Sequence, residues 1–106
     1  MKVSIVRAVL GKLPESLSPR IVHRFINGKA GHQLALLSHL HKSVAGLDTL
    51  EPMERLAQYA DTIQAVYDLA ALNGISQEDI HEAMADRTTM QGNYNSGVVR
   101  IVDGLD

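Results

Sequence analysis

The sequence predicts a mainly all-α protein, an oligomeric helical bundle with short terminal strands, and three observations carry that expectation. The hydrophobic 45% of its 106 residues is drawn from Ala, Val, Ile, Leu and Met, with Phe25, Tyr59, Tyr67 and Tyr94 as the aromatics. Apolar residues recur every three or four positions through the middle of the chain, the period of a helix with one buried face. Glycine, proline and capping residues then punctuate these periodic stretches where helices start and stop. The length suits a single domain spanning residues 1–106.

The elements follow in order. Val3–Leu10 alternates partially and is rich in β-branched residues, so it reads as a short strand or extended arm closed by Gly11 and Pro14. Ser18-Pro19 is a helix start and Gly28 a stop, giving a first helix over 19–27. A second helix is expected from Ala30 to Ala45 on the repeat Leu34, Leu37, Leu40, Val44, with Gly46 closing it in the left-handed conformation. The third runs from Pro52 to Asn73-Gly74, about 30 Å at 1.5 Å per residue, on the stripe Met53, Leu56, Ala60, Ile63, Tyr67 and Ala70. Val66, Leu69 and Leu72 broaden that stripe enough to touch more than one partner helix, which calls for a second subunit. Ser76-Gln77-Glu78-Asp79 is a capping box opening a fourth helix to Thr89. Turn chemistry at 92–97 precedes Val98–Val102, a terminal strand that could pair with the first.

Composition narrows the function. Without cysteine the chain has no disulfide framework, thiolate metal site or cysteine nucleophile, which fits a cytoplasmic protein. Its apolar runs are too short for a membrane span. The formal net charge of −2 conceals a division: residues 1–46 hold seven Lys/Arg against one acid, a formal +6, and residues 47–106 hold three against eleven, a formal −8. His23, His32, His39 and His41 also lie in the basic half. Such asymmetry points to a polyanion, to self-association, or to neutralisation within the chain.

The motifs resemble those of a known family. Val9-Leu10-Gly11-Lys12-Leu13-Pro14-Glu15 is similar to the V-R-D-K-I-P-E opening of short MazG-like chains related to phosphoribosyl-ATP pyrophosphohydrolase. Leu56–Ile63 resembles their E-L-A-D-V-L helix, Asn73-Gly74-Ile75-Ser76 the h-G-I-s break, and Arg87–Tyr94 the closing K-x-x-x-R-G-G-F. The order of motifs spans nearly the whole chain. The resemblance implies an all-α dimer or tetramer that splits nucleoside triphosphates with Mg²⁺, and such compact chains are frequent in phage genomes. That chemistry needs carboxylates on two facing helices, because Mg²⁺ wants oxygen ligands in near-octahedral array. Here the first acidic box is replaced by Ser38, His39 and Lys42, and the second by Gln58 before Asp61. Asp61 alone survives, and no acid occurs between Gly28 and Leu47.

The bland account of Glu54, Gln58, Asp61 and Asp68 is a solvated outer face of the third helix. His32 and His39 sit about 10 Å apart along the helix axis and cannot share one ion; a transition-metal site would need His39 together with Asp61. The lost acids leave a positive stretch with aromatics beside it, so Lys12, Arg20, Arg24, Phe25, Lys29, Lys42, Arg87 and Tyr94 are the expected phosphate- and base-binding residues.

Three functions are consistent with these residues. The leading one is a non-catalytic pseudoenzyme without cofactor that binds nucleic acid, DNA or RNA and preferably single-stranded, through its basic half. The second is a Mg²⁺-dependent nucleoside triphosphate pyrophosphohydrolase using Asp61. The third is an oligomeric regulatory or nucleotide-sequestering protein held together by its oppositely charged halves.

Overall fold

A computed structural model describes residues 3–102 and shows a mainly helical protein: α1 (Lys29–Ala45), a 3₁₀ turn (Leu47–Thr49), α2 (Pro52–Leu72) and α3 (Gln77–Gln91). It contains no strand among the described residues. Two compact units make up the chain, one ending at Ile75 and the other beginning at Ser76.

The three long elements lie where the periodicity and caps put them. Gly28, at φ 97°, is the N-cap of α1. α2 opens with Pro52 at its first position, where a missing N–H costs nothing. It closes in a Schellman motif: Gly74 N–H donates to Ala71 O at 3.0 Å and Ile75 N–H to Ala70 O at 3.0 Å. This geometry requires a left-handed residue, and Gly74 supplies it at φ 74° without the steric cost a Cβ would bring. α3 carries the expected reciprocal cap, with Asp79 N–H donating to Ser76 Oγ at 3.1 Å and Ser76 N–H to Asp79 Oδ2 at 3.3 Å.

Four expectations are corrected. The first helix does not form: residues 21–27 have no regular secondary structure, and one turn bond, Ile21 N–H to Ser18 O at 3.0 Å, is all that Ser18-Pro19 initiates. A nine-residue helix is below the length of about 12 that stands alone in water. Ile21, Val22 and Ile26 are β-branched, and Arg20 and Arg24 would repel at four-residue spacing. Neither terminal strand forms, because Val3–Leu10 and Val98–Val102 have no ladder partner among the described residues. Gly46 is not left-handed: at φ −88° it continues the helical path into the 3₁₀ turn, its N–H donating to Lys42 O at 3.2 Å.

The fourth correction concerns which face of α2 is covered. α1 and α2 pair as an antiparallel hairpin, since Gln33 meets Asn73, His39 meets Asp61 and Ser43 meets Gln58. The covered face of α2 runs through Gln58, Thr62, Ala65, Leu69 and Leu72. The first four residues of the expected stripe point elsewhere, Met53 being 85% exposed, Leu56 71% and Ile63 50% with Ala60 exposed beside them, whereas its last two, Tyr67 and Ala70, are half-buried. α1 likewise leaves Leu34, Leu37 and Val44 exposed. Only Leu36, Ser43 and Ala65 are fully buried among the described residues. The hairpin is therefore closed by hydrogen bonds through its middle and by Leu36, Ala65, Leu69 and Leu72 beside them, while Met53, Leu56 and Ile63 on α2 and Leu34, Leu37 and Val44 on α1 stay exposed.

Candidate functional site

Two arrangements stand out, one between α1 and α2 and one along the basic residues. In the first, Gln58 Nε2 donates to Ser43 Oγ at 2.7 Å and to Ser43 O at 3.2 Å, and Thr62 Oγ1 donates to Gln58 O at 2.7 Å. Thr62 has spent its only proton, so the 2.6 Å contact between the two hydroxyls is donated by Ser43. The result is a closed ring of donors and acceptors across the helix pair. Ser43→Ala breaks it and takes one hydrogen bond each from the half-buried Gln58 and Thr62, so stability should fall by about 1–3 kcal/mol. Urea denaturation followed by circular dichroism measures this.

One turn further along, both oxygens of Asp61 are engaged. Arg7 Nη1 donates to Oδ1 at 3.1 Å and His39 Nε2 to Oδ2 at 2.7 Å. The Asp61 side chain is 22% exposed. Gln58 and Asp61 thus face α1, not solvent, which corrects the outer-face reading for these two, whereas Glu54 and Asp68 are exposed as it expected.

His39 and Asp61, the pair a transition-metal site would have needed, do meet. Their contact is a direct hydrogen bond, and among the described residues no group of three His, Asp or Glu comes together. The Mg²⁺ implied by the motif resemblance fits no better. A hard cation needs several oxygen ligands, and the seam offers one carboxylate, already held by an imidazole and a guanidinium, with Gln58 turning its amide nitrogen to Ser43 beside it.

The second arrangement is the basic surface. Lys12, Arg20, Arg24, Lys29 and Lys42 belong to the unit ending at Ile75, and all five are exposed. None of their side chains has an ion-pair or hydrogen-bond partner among the described residues; the two ion pairs present both involve Asp61. Among the described residues the close ion pairing of the basic half involves Arg7 and His39 and not these five cations. Phe25, between Arg24 and Lys29, is 62% exposed in a segment without regular structure.

Arg87 and Tyr94 belong to the unit beginning at Ser76. With Met84, Thr88, Gln91 and Asn93 they border an open cavity of about 380 Å³ at the C-terminal end of α3. Gly92 ends that helix at φ 74°, and Asn95 N–H donates to Asn93 Oδ1 at 3.0 Å, so the turn leaves Tyr94 wholly exposed.

Arg7 escaped the sequence reading because its role depends on where an irregular arm crosses two helices, and no periodicity encodes that. The ring of Ser43, Gln58 and Thr62 left a trace: polar residues four apart on α2, at positions an apolar period would have filled. No family model, curated protein or solved structure matches this chain. No helix among the described residues is long and apolar enough to cross a membrane.

Proposed function

We propose that this chain is a non-catalytic, single-stranded-nucleic-acid-binding protein that works as a homo-oligomer on a MazG-like helical fold. One observation carries the reading: five cations between Lys12 and Lys42 are exposed and unpaired among the described residues, with Phe25 exposed in their midst. Cations without internal partners are free to displace counterions from phosphates. An exposed aromatic ring offers any unpaired base a face to stack on, which favours single strands over duplex. Arg87 and the wholly exposed Tyr94 offer the same two chemistries in the other unit.

The hydrolase reading draws no such support, because the residues at the α1/α2 seam do not suit Mg²⁺. The oligomer draws support from the outward stripes. Met53, Leu56, Ala60 and Ile63 on α2 have the alternating three- and four-residue spacing of a helix-packing seam, and Leu34, Leu37 and Val44 on α1, three and seven residues apart, share one helix face. A hairpin with so little buried apolar area does not offset its conformational entropy alone. A second copy of the chain would cover both stripes and leave the Phe25 segment outside.

Phe25→Ala tests the base-stacking part. Loss of one stacked base costs about 1–3 kcal/mol, so affinity for a fluorescein-labelled 20-mer oligonucleotide should fall roughly 5- to 100-fold by anisotropy at fixed salt, with the circular dichroism spectrum unchanged. Equal binding by the variant would leave Phe25 without this role.

A further inference from the structure

We propose that Arg7 is the resident cation of the α1/α2 seam: the N-terminal arm straps the helix pair and gives Asp61 the positive charge that a divalent metal would otherwise supply. The inference stands whether or not the chain binds nucleic acid, and it starts from the failure of the seam to suit Mg²⁺.

Asp61 faces α1, which carries no acid and no Lys or Arg that pairs with it; His39 is the residue of α1 that does. A carboxylate with 22% of its side chain exposed has lost much of its hydration and requires compensation. His39 supplies one hydrogen bond to Oδ2, and the guanidinium of Arg7, 54 residues away in sequence, takes Oδ1. Both oxygens are then occupied, one from α1 and one from the arm. An ion approaching Asp61 would have to displace the arm or the imidazole.

The start of the arm lies beside α1. Val3, Ser4 and Ile5 border a small cavity of about 30 Å³ with Ala35, Ser38, His39 and Lys42 of α1. The segment therefore lies on α1 at its start and reaches α2 through Arg7, crossing the pair over His39. Residues 3–9 have no regular secondary structure of their own, and the ion pair of Arg7 with Asp61 is the polar side-chain contact that ties them to the helix pair.

The strap is releasable. Arg7 is 70% exposed and contacts Asp61 through one nitrogen, and exposed ion pairs of this kind contribute little to global stability. Loss of the contact should free the arm and leave the hairpin folded. Asp61, relieved of Arg7, keeps a single neutral or cationic neighbour and one carboxylate, still too few ligands for Mg²⁺ or Mn²⁺.

The test uses the full chain labelled with ¹⁵N. Backbone order parameters of residues 4–8 should be those of ordered backbone in the native protein and fall below about 0.6, the flexible range, in Arg7→Glu and in Asp61→Arg. The exchanged pair, Arg7→Glu with Asp61→Arg, should restore them, an outcome that loss of folding cannot imitate. Mn²⁺ titrated into the native protein should leave the amides of His39 and Asp61 no more broadened than those of other exposed acidic residues. Two results would overturn the proposal: arm order parameters unchanged in Arg7→Glu, or selective broadening at Asp61 by Mn²⁺ with release of the arm.

Discussion

Replacing Leu56 and Ile63 together by Asp should convert the protein from an assembly to separate chains. Light scattering should give a multiple of 11.6 kDa for the native protein and 11.6 kDa for the variant. Leu56 is 71% and Ile63 50% exposed on the α2 stripe. Burial of each such side chain against a partner is worth about 1.5–3 kcal/mol. A carboxylate in its place forfeits that gain and adds the desolvation of an unpaired charge. The hairpin has Leu36 and Ala65 as its buried apolar residues, so separation should also lower the thermal midpoint and broaden the transition. Leu10→Asp is the control. Leu10 is wholly exposed and lies off any helical stripe, so it should change neither mass nor melting. A native protein already at 11.6 kDa with a sharp melt would refute this account of the stripes.

Replacing Arg20 and Arg24 together by Ala should weaken oligonucleotide binding and, more tellingly, flatten its response to salt. Single strands release about 0.7 counterion per phosphate neutralised. If Lys12, Arg20, Arg24 and Lys29 each meet one phosphate, affinity falls roughly 50-fold between 50 and 200 mM salt. With two of the four removed, the fall over the same range should be roughly 7-fold. The fold should survive, because neither arginine side chain has a partner among the described residues. A variant weaker at low salt but with the native slope would mean that the two arginines act through local conformation and not through phosphate contact.

The parts of the fold legible in the sequence are those set by local chemistry. Ser76 and Asp79 satisfy each other within one turn, Gly74 stands where a left-handed residue is needed, and Pro52 starts a helix; each acts over a few residues, so the boundaries of α2 and α3 were readable. The misread parts depend on partners distant in sequence. Whether 19–27 is helical turns on whether Ile21, Val22 and Ile26 find a surface to cover, and in this chain they do not. The stripe Met53–Ile63 is a correct helical period whose direction was open, because periodicity identifies a face without saying what it meets. A mixed face of α2 took the place against α1, where Ser43 and His39 satisfy Gln58, Thr62 and Asp61 and where Ala65, Leu69 and Leu72 are covered.

The same distinction runs through the candidate site. The cations and aromatics were identifiable by type and position, but the exposure of Phe25 was not, because a lone aromatic in an apolar stretch suits a core as well as a surface. His39 and Asp61 are named together in the sequence only as what a transition-metal site would need, and their direct hydrogen bond was not legible there. That the third group at this carboxylate is Arg7, and not a metal ligand, follows only from the path of the arm.

The central claim is that the unpaired cations around Phe25 bind single-stranded nucleic acid. Its most direct test is anisotropy of a labelled single-stranded 20-mer with the native protein, titrated at 50 and at 200 mM salt. The account predicts binding at the lower salt that weakens roughly 50-fold at the higher, with a duplex of the same length bound less tightly. No binding at 50 mM salt, or binding that does not respond to salt, would contradict it.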